Sequence, residues 1–209
     1  MTQTRSFPEL AVSNLSDTLR RLPFVRPLPQ APDYPAIAAV QSYWDGLRGR
    51  RTAPARAEID PRPLAEALDV LFVAELVAPG VARLRLCGQH FSDLLGMEPR
   101  GMPLSVFFAP AARGDLAAAL AQVAQGVRAT LPVRSDKALG RPGVDGMLAL
   151  MPLADQQGAI TRILGVLETH GQIGRTPRHF RLMAPVSTQQ PAPRPQGTPV
   201  LTLIQGGRD

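Results

Sequence analysis

The sequence predicts an α+β fold: a five-stranded antiparallel sheet with a helical insertion between strands two and three, and an amphipathic helix ahead of the first strand. Three observations predict it. Period-two or continuous apolar segments occur in five places. Residues at helical spacing gather in a leading stretch and in one block after the second of those segments. The 22 prolines crowd toward the ends, with one cluster over 23–35 and another over 185–199. Each proline lacks a backbone donor and disfavours helix at the residue before it, so 1–35 and 175–209 read as tails and 36–174 as the domain.

Taken in order, Ile37, Val40, Trp44 and Leu47 fall on one stripe, predicting a helix over 36–48 that stops near Gly49. Asp60 before Pro61 reads as a helix start, and Leu64, Ala67 and Leu68 give the short helix a buried side. Strands follow at 70–77 and 81–87, turned by Ala78-Pro79-Gly80, with Arg83 and Arg85 alternating with Leu84 and Leu86. The insertion holds Phe91, Leu94 and Leu95 on a short helix ended by Gly96, then Leu104 to Phe108, then a helix from Pro110 to Gln125 stopped by Gly126. Three strands close the domain at 127–134, 144–153 and 160–169, and the helices are expected on one face of the sheet.

Composition narrows the function. At 209 residues and 44% hydrophobic the chain can bury one ordinary core. No apolar run approaches the roughly 18–20 residues of a membrane span, and Met1 to Leu22 lacks the apolar centre of a signal peptide, so a cytoplasmic protein is expected. Cys87 is the sole cysteine, which excludes an internal disulfide and a cysteine-rich zinc module. The net charge of +6 is almost all arginine, since Lys137 is the only lysine. A surplus of this kind attracts nucleic acid or acidic partners. The abundance of Ala, Arg, Pro and Gly with so little Lys also fits a GC-rich genome, which is the preferred reading.

Several motifs carry a family resemblance: Tyr43-Trp44-Asp45-Gly46-Leu47-Arg48-Gly49; Pro54-Ala55-Arg56 leading into Glu58-Ile59-Asp60-Pro61-Arg62; Ala82 to Gly88; and Leu94-Leu95-Gly96-Met97-Glu98-Pro99-Arg100-Gly101-Met102-Pro103-Leu104. On these, the stretch from Tyr43 to His170 resembles the alphaproteobacterial stand-alone PAS proteins. The resemblance implies a sheet of order 2-1-5-4-3, which puts Pro132 in an edge strand, where proline is tolerated; Pro152 is better placed at a bulge or strand end. It also implies a short apolar terminus, matched by Thr198 to Gly207; an apolar run after a linker either docks on a sheet edge, of this copy or another, or stays unstructured.

PAS domains bind haem, flavin or metabolites, or serve as contact surfaces, and each option needs its own residues. Haem is disfavoured because the helix 110–125 has no histidine and His90 reads better as a helix-start residue. Flavin is disfavoured because Cys87 ends a strand rather than lying in the insertion, and reads as a buried thiol. His90, His170 and His179 lie too far apart in sequence for a local metal set. No nucleophile elbow or phosphate loop occurs, so the protein is read as not an enzyme. What remains is a pocket bordered by Cys87 and His90 and lined by Phe91, Leu94, Leu95, Phe107, Phe108 and Leu120, facing Met147, Met151 and Leu164 from the strands. Arg48, Arg50, Arg51 and Arg56 read as a solvated basic face.

The expectation is a sensory or regulatory module in bacterial signalling, binding a small metabolite or a signalling protein partner, with helix 36–48 as the surface of a homodimer. A nucleic-acid-associated basic protein is the alternative. It is weakened because the arginines are scattered and lack interleaved aromatics.

Overall fold

The computed structural model describes residues 33–183 and 187–189. The chain divides into two units at Asp33 and Tyr34, and every element below belongs to the second. The apolar terminus 198–207 and nearly all of the N-terminal tail lie outside the described residues.

Helix α1 (Pro35–Arg48) begins with proline at its first position and ends at Gly49, whose φ of 56° lies in the left-handed region. Ile37, Val40 and Trp44 are buried along one side. The Glu168 carboxylate accepts a hydrogen bond from Ile37 N at 3.1 Å, filling one of the donors that a helix start leaves open.

The segment Arg62–Val70 is a 3₁₀ helix rather than the expected α-helix. Asp60 Oδ1 does accept from Arg62 N at 3.0 Å. The three-residue period turns Leu64, Ala67 and Val70 inward and leaves Leu68 39% exposed.

Strands β1 (Leu71–Ala78) and β2 (Val81–Cys87) form the expected hairpin. A register shift sets Val73 opposite Leu86 but Ala74 opposite Leu84. The extra residue, Arg85, breaks the alternation, so Ala82 and Leu84 are buried while Leu86 is half exposed.

The insertion follows as α2 (Gln89–Leu95), two 3₁₀ turns (Leu104–Phe107 and Pro110–Ala112) and α3 (Arg113–Val123). Gly126, at φ 88°, follows α3 as expected. Strands β3 (Arg128–Ser135), β4 (Asp145–Ala154) and β5 (Ile160–His170) complete the sheet, and the Asp155 carboxylate closes the last turn by accepting from Gln157 N and Ala159 N.

The sheet runs β2-β1-β5-β4-β3, the expected order, and continues with β6 (Phe180–Leu182); β7 (Ser187–Gln189) also pairs with β3. The domain therefore extends past residue 174. Phe180 is fully buried and its carbonyl accepts from Ala109 N at 2.9 Å.

Because β6 and β7 pair with β3, Pro132 is not in the edge strand that was expected, whereas Pro152 does sit close to a bulge. Pro132 falls between the stretches covered by β6 and β7. Its carbonyl accepts from Met183 N on the outer side, so its nitrogen also faces outward and leaves the β3–β4 ladder intact. Pro152 lies beyond the point where β3 stops pairing with β4, two residues before a bulge against β5.

Helices cover both faces of the sheet, not one. Leu148 and Leu150 of β4 join the cluster under the insertion, whereas Ala149, Met151 and Leu153 join the cluster under α1. This explains why β4 and β5 read as near-continuous apolar runs.

Candidate functional site

The insertion brings most of the predicted pocket residues together. Phe91, Leu94, Leu95, Phe107, Phe108 and Leu120 all belong to one buried cluster. Their side chains pack on one another and on Phe72. Phe72 meets Phe91 edge-on at 5.4 Å between ring centroids, and Phe91 meets Phe107 at 5.5 Å. The Phe72 ring lies against Gly165 so closely that a Cβ there would stand 2.1 Å from its Cζ. Phe72 was not singled out by sequence, although it sits in the first strand at an apolar position like its neighbours.

Met147, Met151 and Leu164 do not face this cluster. They belong to the opposite side of the sheet, under α1. Strand alternation decides it: once Leu148 and Leu150 point to the insertion, Met147 and Met151 must point away. The single pocket drawn from both sets is corrected to two separate packing layers.

Cys87 and His90 stand at the margin. Burial, reinforced by the nearby Glu98 carboxylate, pushes the Cys87 thiol up to about 12. The thiol is thus held protonated at neutral pH, the reverse of a reactive cysteine. Alkylation by iodoacetamide at pH 7.5 is expected to be at least tenfold slower than for an unfolded-chain control in urea. Equal rates would show an activated thiol.

The His90 Nε2 lies 3.0 Å from Thr169 Oγ1, and burial holds the imidazole below its ordinary range. His170 packs on Tyr34 at 4.9 Å, away from His90's contact. Among the described residues no group of three or more His, Cys, Asp or Glu is placed to hold a metal.

The basic run is not a solvated face throughout. Arg48 is 7% exposed and its Nε donates to Asp45 at 3.3 Å. Arg51 holds Glu58 with two bonds of 2.9 and 3.0 Å. Around Trp44, Arg48 and Arg128 each place a guanidinium 5.5 Å from the ring, and Arg128 also pairs with Asp45 at 2.7 Å. The Trp44 indole donates to Pro152 O at 2.8 Å. This cluster fastens α1 to the sheet, so the apolar stripe expected to join two copies is covered by the chain's own β1, β4 and β5.

An open concavity of about 610 Å³ lies on the outside, between α1 and the 62–70 turn. Pro35, Ala36, Ala39, Pro63 and Val70 line it, with Arg62, Glu66 and Glu168 as its charged groups. Sequence periodicity located both helical segments but could not show that a gap remains between them.

The expected C-terminal tail also contributes a residue that sequence reasoning missed. Arg178 is 1% exposed, packed between the insertion and the β3–β4 loop. The period-two order of Arg178, Phe180 and Leu182 was the available signal, obscured by Pro177.

Comparison with curated proteins gives no match. Solved structures similar to this chain include the light-state and dark-state forms of the blue-light photoreceptor Aureochrome1 LOV. Each is 14% identical, with a TM-score of 0.38. They cover 53% and 69% of this chain, and 88% and 89% of their own. Likeness at that level bears on neither function nor cofactor. The model of the PAS domain family matches residues 33–168, more than half of the sequence and nearly all of the sheet and insertion described above. The chain belongs to the PAS domain family.

Proposed function

We propose that this chain is a non-enzymatic regulatory module in bacterial signalling, a cytoplasmic stand-alone PAS protein of the alphaproteobacterial kind, whose output is contact with a signalling protein partner. One observation carries the reading. The space beneath the insertion, where a PAS ligand would be sought, holds the chain's own packed phenylalanines, while the open concavity lies outside against α1. A flavin or haem placed among Phe72, Phe91 and Phe107 would have to displace fully buried rings, which supports a reading without either. The thiol and imidazole nearest that layer are, respectively, held protonated and engaged by Thr169.

The nucleic-acid alternative has less support. Arg51, Arg62 and Arg181 hold carboxylates at 2.9, 2.7 and 3.0 Å, and Arg85 and Arg134 pair with Glu75 and Asp145. Cations neutralised this way release few counterions from a phosphate backbone. Among the described residues no helix is long and apolar enough to cross a membrane.

The test is a two-hybrid screen with the full chain, repeated with Ala39→Arg. Ala39 is exposed on the wall of the concavity, so this change should leave stability within about 0.5 kcal/mol. A specific partner is expected with the natural chain and its signal is expected to disappear with the variant. Recovery of no specific partner, a second copy included, or undiminished binding by the variant, overturns the reading.

A further inference from the structure

We propose that a small cavity at the β3–β4 loop is a binding site for an oxyanion of carboxylate or phosphate type, with Arg178 as its central ligand. The cavity has a volume of about 100 Å³ and is walled by Ser135, Ala138, Arg141, Pro177, Arg178 and His179. Asp136 also borders it, but its carboxylate is drawn to Arg181, with bonds of 3.0 and 3.2 Å.

Among the described residues Arg178 is a buried cation with neutral partners only. Its backbone N donates to Leu94 O at 2.7 Å, which fixes it against the insertion. Its Nη2 donates to Ser135 Oγ, to Pro142 O and, at 3.4 Å, to Asp136 O. Its Nη1 is closed from solvent and has no acceptor among the described residues. A guanidinium keeps its proton under any ordinary condition, so the charge stays where it is placed. Leaving a charge buried without a counter-charge is among the costlier arrangements a fold can hold.

Two neighbours add to the demand for an anion. Arg141 stands on the same cavity, and burial together with its charge pushes the Arg178 guanidinium below its ordinary value. Like charges brought together in this way define a site of positive potential. Ser135 Oγ already accepts two hydrogen bonds, from Arg178 Nη2 and from Val144 N at 3.1 Å, so its hydroxyl proton remains available to donate. Guanidinium groups and a hydroxyl donor thus meet at one small cavity, and the planar fork of arginine matches the oxygens of carboxylates and phosphates alike. An anion held there ties the segment before β6 to the β3–β4 loop.

The site is distinct from the concavity beside α1, so its test is independent of the Ala39→Arg experiment. Thermal unfolding of the full chain is followed with increasing inorganic phosphate and, separately, acetate, with chloride keeping ionic strength constant. One of the two anions is expected to raise the midpoint along a saturating curve, as one-site linkage requires, and that arm identifies the phosphate or the carboxylate type. Arg178→Met carries the risk of unfolding the chain, so the comparison uses Arg141→Gln, whose side chain is only half-buried. This variant is expected to bind the same anion at least tenfold more weakly. No saturable rise with either anion, or an equal rise in Arg141→Gln, overturns the proposal.

Discussion

Trp44→Ala is expected to lower the unfolding free energy by about 3–5 kcal/mol, the range for removing a large aromatic from a packed core. Trp44 is fully buried between α1 and the sheet, and three separate contacts end with it. Pro152 O loses the indole donor at 2.8 Å in a place closed from water. Arg48 and Arg128 lose the ring that lies 5.5 Å from each guanidinium, leaving Asp45 as their shared partner. The hydrophobic cluster formed with Leu71, Val73, Met151 and Leu164 opens around a void. At roughly 2–4 °C per kcal/mol for a chain of this size, the melting midpoint should fall by about 10 °C. Trp44→Phe separates the contributions, because it keeps most of the packing and loses the hydrogen bond, for an expected cost of about 1–3 kcal/mol. Circular dichroism in urea is the suitable probe for both, since Trp44 is the only tryptophan and its fluorescence disappears with it. In the natural chain that same uniqueness makes emission a direct report on whether α1 stays docked. A loss below about 1 kcal/mol for the alanine variant would show that α1 is held by Glu168 and its backbone contacts instead.

The fold was legible where one pattern decided it. Ala82, Arg83 and Leu84 alternate as a half-wet strand must, and Gly49 and Gly126 stop helices at left-handed positions. The misses occurred where two readings share a pattern. Leu64, Ala67 and Leu68 suit an α-helix, and only hydrogen bonding chose the three-residue period that leaves Leu68 outside. Continuous apolar runs such as Leu148 to Met151 do not show which residues face which layer, so Met147 and Met151 were assigned to the wrong side. Leu86 was placed inward by alternation and moved outward by a bulge, which has no sequence mark beyond its effect on register. Candidate sites were less legible than the fold. Arg178 sits in a proline-interrupted stretch that reads as tail, and its importance comes from burial and from what it lacks, neither of which is a property of the sequence.

Gly88→Ala should destabilise the domain by about 3 kcal/mol or more, toward the upper end for overpacked sites. The cause is space, not backbone conformation, since Gly88 has φ −71° and ψ 169°, open to any residue. A Cβ at this position would stand 2.1 Å from Leu68 O, 2.2 Å from Asp69 O and 2.4 Å from Asp69 C. All three are backbone atoms, so no side-chain rotation relieves the contact. Gly88 N also donates to Leu71 O at 2.9 Å, which holds the chain against the same segment. Relief therefore requires the end of β2 and the close of the 62–70 turn to part, and where β2 gives way α2, which begins at Gln89, moves with it. Gly46→Ala supplies the opposite sign: Gly46 lies inside α1, and a Cβ added there would meet nothing within 4 Å, so alanine should stabilise by about 0.5–1 kcal/mol. Urea midpoints of the two variants should thus move in opposite directions. Because Cys87 precedes Gly88 and its thiol is pushed up chiefly by burial, Gly88→Ala should also speed alkylation of Cys87 under native conditions. A destabilised variant whose thiol stays as slow as the natural one would mean that the strain is taken up by the 62–70 turn, with β2 left in place.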